Sequence, residues 1–468
     1  MTEILSKLAA IVGNKNLITD ASDQAPYLDE PRKKFHGKAA AIVLPQTTEQ
    51  VSKVLYLANE TDTKIVPQGG NTGLVGGQVP DASGEQIVLS LKRLNKTRSV
   101  DPEQNSMVLD AGVTLQQAQD IAAQSNRLFP LSLASQGTCT IGGNLASNAG
   151  GLNVVAYGNA RELCLGLEVV MADGRIWDGL NTLRKNNTGY DLKNLFIGSE
   201  GTLGVITAAA LKLFPKQNSK ATAFIAISEP KHALSLLNLA QQQSGNRVTT
   251  IELMPRIGVE MTVTHKQTRD PFARPYPWYV LLEFSSPQFG NGVEEAMIQT
   301  LEKAIENEIA LDAVIAQSGQ QAADLWAIRE LIPETQREEG GSIKHDISVP
   351  LSSMPAFLRE AEKAVLALMP NARPVPFGHV GDGNIHFNIT QPKGADTKEF
   401  LARWDEVNAV VHKIAHDMGG SISAEHGIGQ LKAALLPSVK SPLELEMMRN
   451  MKTMFDPKNT LNPGKILR

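Results

Sequence analysis

The sequence predicts an α+β protein built in two parts with a short tail. Three observations point there. Three glycine clusters, each joined to a short apolar run, fall within the first 215 residues. Beyond Pro215 the texture changes to strands alternating with amphipathic helices, up to about residue 420. The last stretch closes on FDPKNTLNPGKIL, where Pro and Gly mark a turn. The expected boundaries are 1–215, 216–420 and 421–468, the tail packing back on the first part.

Taken in order, residues 1–35 read as a polar helical lead-in. Ala39–Leu44 is a short apolar run stopped by Pro45, a strand. Thr47 or Thr48 opens a helix through Val51, Val54, Leu55 and Ala58, which recur at helical spacing. Lys64–Val66 is a strand running straight into PQGGNTGLVGGQVP, so a strand–helix–strand unit delivers a glycine loop at a strand end. Strands follow at Gln86–Leu91 and Ser106–Leu109, and Thr114 with Gln117 makes a capping box for a helix over 115–125. Leu165–Met171, the turn Asp173-Gly174 and Arg175–Trp177 read as a hairpin. FIGSEGTLGVIT then leads into Ala208–Phe214. In the second part, strands at Ala223–Ile227, Thr249–Leu253, Val280–Phe284 and Ala313–Gln317 alternate with helices near 230–243, 292–307 and 320–331. No repeat of 20–50 residues is present.

Composition bounds the function. Of 468 residues, 42 % are apolar and 20 % charged, ordinary for a chain with a real core. The formal charge is 45 − 49 = −4, so no surplus of cations is available for phosphates, and 5 % aromatics make poor platforms for bases. Nucleic acid is therefore not the expected partner. Two cysteines, Cys139 and Cys164, are too few for a disulfide framework or a thiolate zinc site. MTEILSKLAAIVG has no basic start and no unbroken apolar stretch, so no signal peptide is read and a cytoplasmic location is expected. No run reaches the ~18 apolar residues that span a bilayer.

The glycine clusters are the first chemical signal. They comprise Gly69, Gly70, Gly73, Gly76 and Gly77, then Gly137, Gly142, Gly143, Gly150 and Gly151, then Gly198, Gly201 and Gly204. Glycine permits positive φ and close backbone approach, and successive amides in such loops bind anionic oxygens. Asn71, Thr72, Ser135, Thr138, Thr140, Asn144 and Asn148 add uncharged donors, which suits a pyrophosphate and the polar edge of a heterocycle. The bland alternative is tight turns in a strand-rich domain; three such clusters in one part weigh against it. G-x-G-x-x-G, G-x-x-x-x-G-K-[ST] and G-x-S-x-G are all absent, which disfavours Rossmann, P-loop and serine-hydrolase readings.

PQGGNTGLVGG, TIGGNLASNAGG and FIGSEGTLGVIT resemble the FAD-binding domain of the vanillyl-alcohol oxidase/p-cresol methylhydroxylase superfamily, and within it the D-2-hydroxyglutarate, D-lactate and glycolate dehydrogenase group, over nearly the whole chain. The resemblance implies a two-subdomain FAD-binding domain, a mixed α/β substrate (cap) domain and a C-terminal helical segment. It implies FAD contacts from Pro67, Gln68, Gly69, Gly70, Asn71, Thr72, Gly73 and Leu74, with the pyrophosphate on the 69–73 loop. Further contacts are implied at Ser135, Gly137, Thr138, Thr140, Gly142, Gly143, Asn144, Ala146, Asn148 and Gly150, and at Gly201, Gly204, Val205, Ile206 and Asn462. Members with a flavin bonded to histidine at this loop carry that histidine after a Gly-Gly pair. Asn71 stands there in this chain, so the FAD is expected to be non-covalent.

The second signal is PFGHVGDGNIHFNI, which holds His379 and His386 about Asp382-Gly383, a strong two-residue hairpin signal. A turn centred on those two residues pairs 381 with 384, 380 with 385 and 379 with 386, placing the imidazoles directly across from each other, about 5 Å apart at Cβ. SISAEHGIGQLK adds a carboxylate candidate, Glu425, beside His426. Two His and one carboxylate suit Zn²⁺, with Mn²⁺ or Fe²⁺ as alternatives. The resemblance implies metal ligands at His379, His386 and Glu425, His426 as catalytic base and substrate contact, and Asn388 near the substrate.

An α-hydroxy acid also presents a carboxylate. On residues alone Arg329, on a predicted helix, is an ordinary charge paired with a nearby Glu, and Lys344 lies on a predicted strand. The resemblance implies instead that both bind substrate, because W-A-x-R-E and K-x-D-x-S-x-P match the group's substrate segments. One position departs from the hydroxyglutarate pattern. Four residues after Arg329, where those enzymes carry a threonine, stands Pro333, with Thr335 two further on; proline has no N–H to donate.

The function expected is FAD-dependent, metal-assisted oxidation of a small D-2-hydroxy acid, D-2-hydroxyglutarate first and D-lactate or glycolate second. Electrons then pass to a separate acceptor, whether an electron-transfer flavoprotein, a quinone or a cytochrome. A homodimer is expected. Readings from other classes are a non-redox metal hydrolase or lyase, and a transferase on the same flavin fold. His345 and His36 are read as structural, and His265, His412 and His416 as surface or helix-face residues. Tyr190 could line the flavin or sit in the core.

Overall fold

The computed structural model describes residues 2–266 and 268–468. It divides into two compact units. The first takes the chain up to Gly151, Tyr157–Lys216 and Glu425–Arg468; the second takes Leu152–Ala156 and Gln217–Ala424. No change of composition marks Leu152–Ala156 as part of the second unit. Its contacts do: Thr250 Oγ1 meets Asn153 Oδ1 at 3.1 Å, and Val155 packs on that unit's core.

The first unit holds two main sheets. One has four strands, in the order Leu17–Ile18, Ala41–Val43, Ile87–Ser90, Ile65–Gln68. Its last three strands are parallel, which requires a crossover, and the helix Thr48–Glu60 supplies it. Thr47 caps that helix by accepting from the Gln50 amide, and Val51, Val54, Leu55 and Ala58 are buried as their spacing predicts. Strand Ile65–Gln68 ends at the first glycine loop. The returning tail joins its free edge: the Ile65 amide donates to the Thr460 carbonyl at 2.8 Å, and the Asn462 amide donates back at 2.7 Å.

The other sheet has five antiparallel strands, ordered Thr97–Asp101, Ser106–Asp110, Val205–Lys212, Cys164–Val170, Ile176–Gly179. The last two form the hairpin read at Asp173-Gly174. The Thr114–Gln117 capping box is present and opens the helix Leu115–Gln124.

The second unit is built on an antiparallel sheet of eight strands. In order these are Asp312–Ile315, Ser219–Ile227, Trp278–Ser286, Val248–Pro255, Arg373–His379, Asn384–Thr390 and Ser342–Ile343, with Ile347–Ser348 also pairing to Asn384–Thr390. Alternation sends odd and even residues to opposite faces. Ile251, Leu253, Ile385, Phe387 and Ile389 join helices Lys231–Ser244, Gly292–Glu306, Met354–Leu368 and Trp404–Asp417 in the larger core. Met254, Val375 and Phe377 face the other way, against helices Arg256–Lys266, Gly319–Glu330 and Ile332–Glu338.

The histidine hairpin differs from the expected register. His379 pairs with Asn384, and His386 pairs with Phe377. The connection therefore spans 380–383, not the two residues Asp382-Gly383 alone. Its shape is set from outside: the Val349 amide donates to the Gly383 carbonyl at 3.1 Å, and a Cβ at Gly383 would lie 2.2 Å from the Val349 carbonyl oxygen. The Asn384 amide also donates to Asp382 Oδ1 at 2.9 Å. A shift of two residues preserves the face, so His379 and His386 are diagonal neighbours on one side of the sheet. Among the described residues, no helix is long and apolar enough to cross a membrane.

Candidate active site

The glycine clusters of the first unit converge on one open cleft of about 900 Å³. Pro67–Gly73 forms one wall, and Thr140, Gly142, Gly143, Asn144, Ala146 and Ser147 form another. Glu200, Gly201 and Gly204–Ile206 close it, and His426 stands at its lining. Two of the glycines serve approach between the walls. A Cβ at Gly70 would sit 2.0 Å from the Thr138 carbonyl oxygen, and one at Gly69 would sit 2.5 Å from Thr140 Oγ1. Asn71 adopts φ 60°, and its Nδ2 donates to the carbonyls of Pro26 at 3.1 Å and Asp29 at 2.8 Å. The carboxamide thus pins the loop in a conformation that β-branched residues avoid.

The cleft fits a polar cofactor. Gln68 Oε1 and Asn71 Oδ1 are buried in its wall without a hydrogen-bond partner, and such atoms cost free energy unless a ligand or solvent satisfies them. Of the residues expected at the cofactor, Leu74, Ser135, Gly137, Thr138, Asn148, Gly150 and Asn462 lie outside the lining. Some of them hold the walls. Asn148 Oδ1 accepts from the Arg161 amide at 3.0 Å, and Asn462 Nδ2 donates to the carbonyls of Gly77 and Glu200 at 3.0 and 2.8 Å. Tyr190, at 94 % exposure, belongs neither to a core nor to the cleft.

Glu200 was not legible in the sequence. It sits at φ 51° between Gly198 and Gly201, and its carboxylate accepts from the amides of Ile428 at 2.7 Å and Gly429 at 2.8 Å. It thereby anchors the bend just beyond His426. Burial pushes its carboxyl above the ordinary value, against the opposing pull of those amides and of Lys432 and Lys465.

The second unit carries the charges. Glu252, on the strand Val248–Pro255, is fully buried and pairs in register with His379. Its Oε1 lies 2.5 Å from His379 Nδ1 and its Oε2 lies 2.7 Å from Arg329 Nε. Burial raises this carboxyl, but its electrostatic and hydrogen-bonding contacts with His379 and Arg329 outweigh that and hold it at about 2. Arg329 is buried, not the exposed charge its helical position suggests, and its guanidinium lies 4.6 Å from the centre of the Phe377 ring. The His379 and His386 ring centres are 5.6 Å apart at 79°. With Nδ1 of His379 committed to a carboxylate, Nε2 is its remaining nitrogen, and two imidazoles so spaced suit one small cation.

The other expected residues are placed as follows. Asn388 is buried on the same face, and its Nδ2 donates to Gln336 Oε1 at 2.9 Å. Lys344 is half-buried between the strands Ser342–Ile343 and Ile347–Ser348. Glu425 directly follows Ala424, whose amide donates to the Asp346 carbonyl at 3.3 Å, and it lies 3.8 Å from His426 Nε2. Thr335 is buried and donates to the Ile332 carbonyl at 2.9 Å, so its hydroxyl is occupied within its own helix.

Residues 39–179 match the FAD binding domain family, and residues 216–466 match the C-terminal domain of FAD linked oxidases. A D-2-hydroxyglutarate dehydrogenase of Xanthomonas citri pv. viticola is 36 % identical over 96 % of this chain and 94 % of its own. One of Stutzerimonas stutzeri is 35 % identical over 99 % of this chain and 98 % of its own. A D-2-hydroxyglutarate–pyruvate transhydrogenase of Saccharomyces cerevisiae is 34 % identical over 100 % and 94 %. Among solved structures, p-cresol methylhydroxylase superposes with a TM-score of 0.76 at 17 % identity, covering 99 % of this chain and 96 % of the other. An alkyldihydroxyacetonephosphate synthase superposes with a TM-score of 0.75 at 18 % identity over 99 % and 86 %. The chain belongs to the FAD-linked oxidases, in the group that includes the D-2-hydroxyglutarate dehydrogenases; it shares the fold of p-cresol methylhydroxylase and is an FAD-dependent oxidoreductase.

Proposed function

We propose that the protein oxidises a D-2-hydroxy acid to the 2-oxo acid, with D-2-hydroxyglutarate the first candidate and D-lactate or glycolate the second. The observation that carries this reading is the face of the second unit. A guanidinium suited to a carboxylate and two imidazoles suited to a metal share one sheet face, tied together by Glu252. The names of the relatives support the substrate class.

When bound, the flavin supplies the hydride acceptor, and a divalent ion at His379, His386 and Glu425, zinc first and manganese or iron next, supplies Lewis acidity toward the substrate hydroxyl. Arg329 and Lys344 hold the substrate carboxylate. Asn388, its own amide fixed by Gln336, orients the substrate beside them. His426, at the lining of the glycine cleft, takes the hydroxyl proton as general base. The flavin is held non-covalently, since the position after Gly69-Gly70 is Asn71, whose Nδ2 is spent on two carbonyls. Pro333 stands in the first turn of the helix Ile332–Glu338 and favours keeping the shorter acids as the second reading. We take the enzyme as a cytoplasmic homodimer that passes electrons to a separate acceptor.

Anaerobic mixing of the purified protein with D- and L-2-hydroxy acids tests the reading. D-2-hydroxyglutarate should bleach the flavin and its L-enantiomer should not; an unreduced flavin with every D-acid would overturn it. Chelation should abolish turnover and leave the flavin bound. Full activity after verified metal removal would take the metal out of the mechanism.

A further inference from the structure

We propose that Glu252 is a positioning residue that couples the metal-binding histidine to the substrate-binding arginine, so that metal affinity and substrate affinity are set by one carboxylate. The inference rests on the function proposed above.

The geometry is specific. Glu252 and His379 are partners across adjacent antiparallel strands, a position that brings side chains on one face into direct contact. Each carboxylate oxygen has its own partner, Oε1 for His379 Nδ1 and Oε2 for Arg329 Nε, at 2.5 and 2.7 Å. A carboxylate accepting at Nδ1 places the ring proton there and leaves Nε2 with a lone pair for a metal. The bond to Arg329 uses Nε, which leaves the two terminal amino groups of the guanidinium for a substrate carboxylate. The Phe377 ring beneath fixes the guanidinium plane. Glu252 has no exposure, so no solvent competes for either oxygen. A carboxylate that served packing alone would need only one of these partners; here moving one partner displaces the other.

The test uses the flavin-loaded enzyme in three forms: wild type, Glu252→Gln and Glu252→Asp. Zn²⁺ affinity is read by competition with a chromophoric chelator, and KM and kcat for D-2-hydroxyglutarate are read with Zn²⁺ saturating. Glu252→Gln should weaken Zn²⁺ binding by about 10–100-fold. It should also raise KM more than it lowers kcat, with the ratio of flavin to protein unchanged. Glu252→Asp keeps the charge but draws it back by one methylene, and should fall between the two. Wild-type Zn²⁺ affinity and KM in Glu252→Gln would overturn the proposal. If Glu252→Gln does not retain flavin, Glu252→Asp decides: values equal to wild type overturn the coupling, and weakened Zn²⁺ binding together with a raised KM supports it. A wild-type enzyme that binds no Zn²⁺ removes the metal reading itself, a failure visible before any variant is made.

Discussion

Glu200 in the first unit is a half-buried carboxylate at the cleft wall and Glu252 in the second is a fully buried one, and desolvation pushes both upward. The outcomes are opposite. Glu200 has two backbone amides as partners and stays above its ordinary value, whereas Glu252 lies between a histidine and an arginine and falls to about 2. The contrast extends to the surroundings. The cleft beside Glu200 is lined mainly by backbone, small residues and carboxamides, suited to a large cofactor bearing its own charges. The face around Glu252 is made of compensated charges, suited to a small ion and a small acid. At Glu200 two amides and two lysines do not offset desolvation, whereas at Glu252 His379 and Arg329 more than offset it.

His426→Ala, on the cleft side, should have the largest effect. Loss of a general base predicts a fall in turnover of about 10²–10⁴-fold with flavin retained. Turnover within tenfold of wild type would mean that the proton goes elsewhere. Next come the two carboxylates themselves, compared by denaturant unfolding. Glu252→Gln leaves Arg329 buried without its counter-charge and should cost about 3–5 kcal/mol. Glu200→Gln keeps an oxygen to accept from Ile428 or Gly429 and should cost about 0.5–1.5 kcal/mol. Equal losses would break the comparison.

Gly70→Ala should fall between the two, about 1–3 kcal/mol, because its Cβ would meet the Thr138 carbonyl. It should weaken flavin binding and leave Zn²⁺ affinity unchanged.

Acid should separate the two carboxylates most finely. A lowered carboxyl binds fewer protons folded than unfolded, so Glu252 stabilises above its ordinary 4.5 and loses that contribution as pH falls toward about 2. A raised carboxyl has the opposite sign: the Glu200 contribution falls as pH rises from 4.5 through its elevated value. Melting temperature against pH in the two glutamine variants should therefore change slope in opposite directions.

Local signals were read well where the interaction itself is local. The Thr114–Gln117 box spans three residues and is present as expected. The helix 48–60 and the hairpin at Asp173-Gly174 follow from spacing and turn chemistry. The histidine hairpin departs from its expected register by two positions because Val349, distant in sequence, clamps Gly383 and widens the loop. Period-2 geometry rescued the consequence, since both histidines stay on one face. Arg329 was half legible: a nearby Glu partner was expected, but the true partner lies 77 positions away on a central strand.

By itself, the sequence determined what the chain can bind. Glycine clusters with carboxamides specify a cofactor cleft, and His379 and His386 nominate candidate metal ligands, because these depend on residue type and short spacing. Tertiary structure decided which charges matter. Glu200 looked like one residue in a glycine-rich turn and Glu252 like one residue in an apolar strand. Only folding buried Glu252, set Glu200 at the cleft wall and chose their partners, and the partners decide which way each carboxyl shifts.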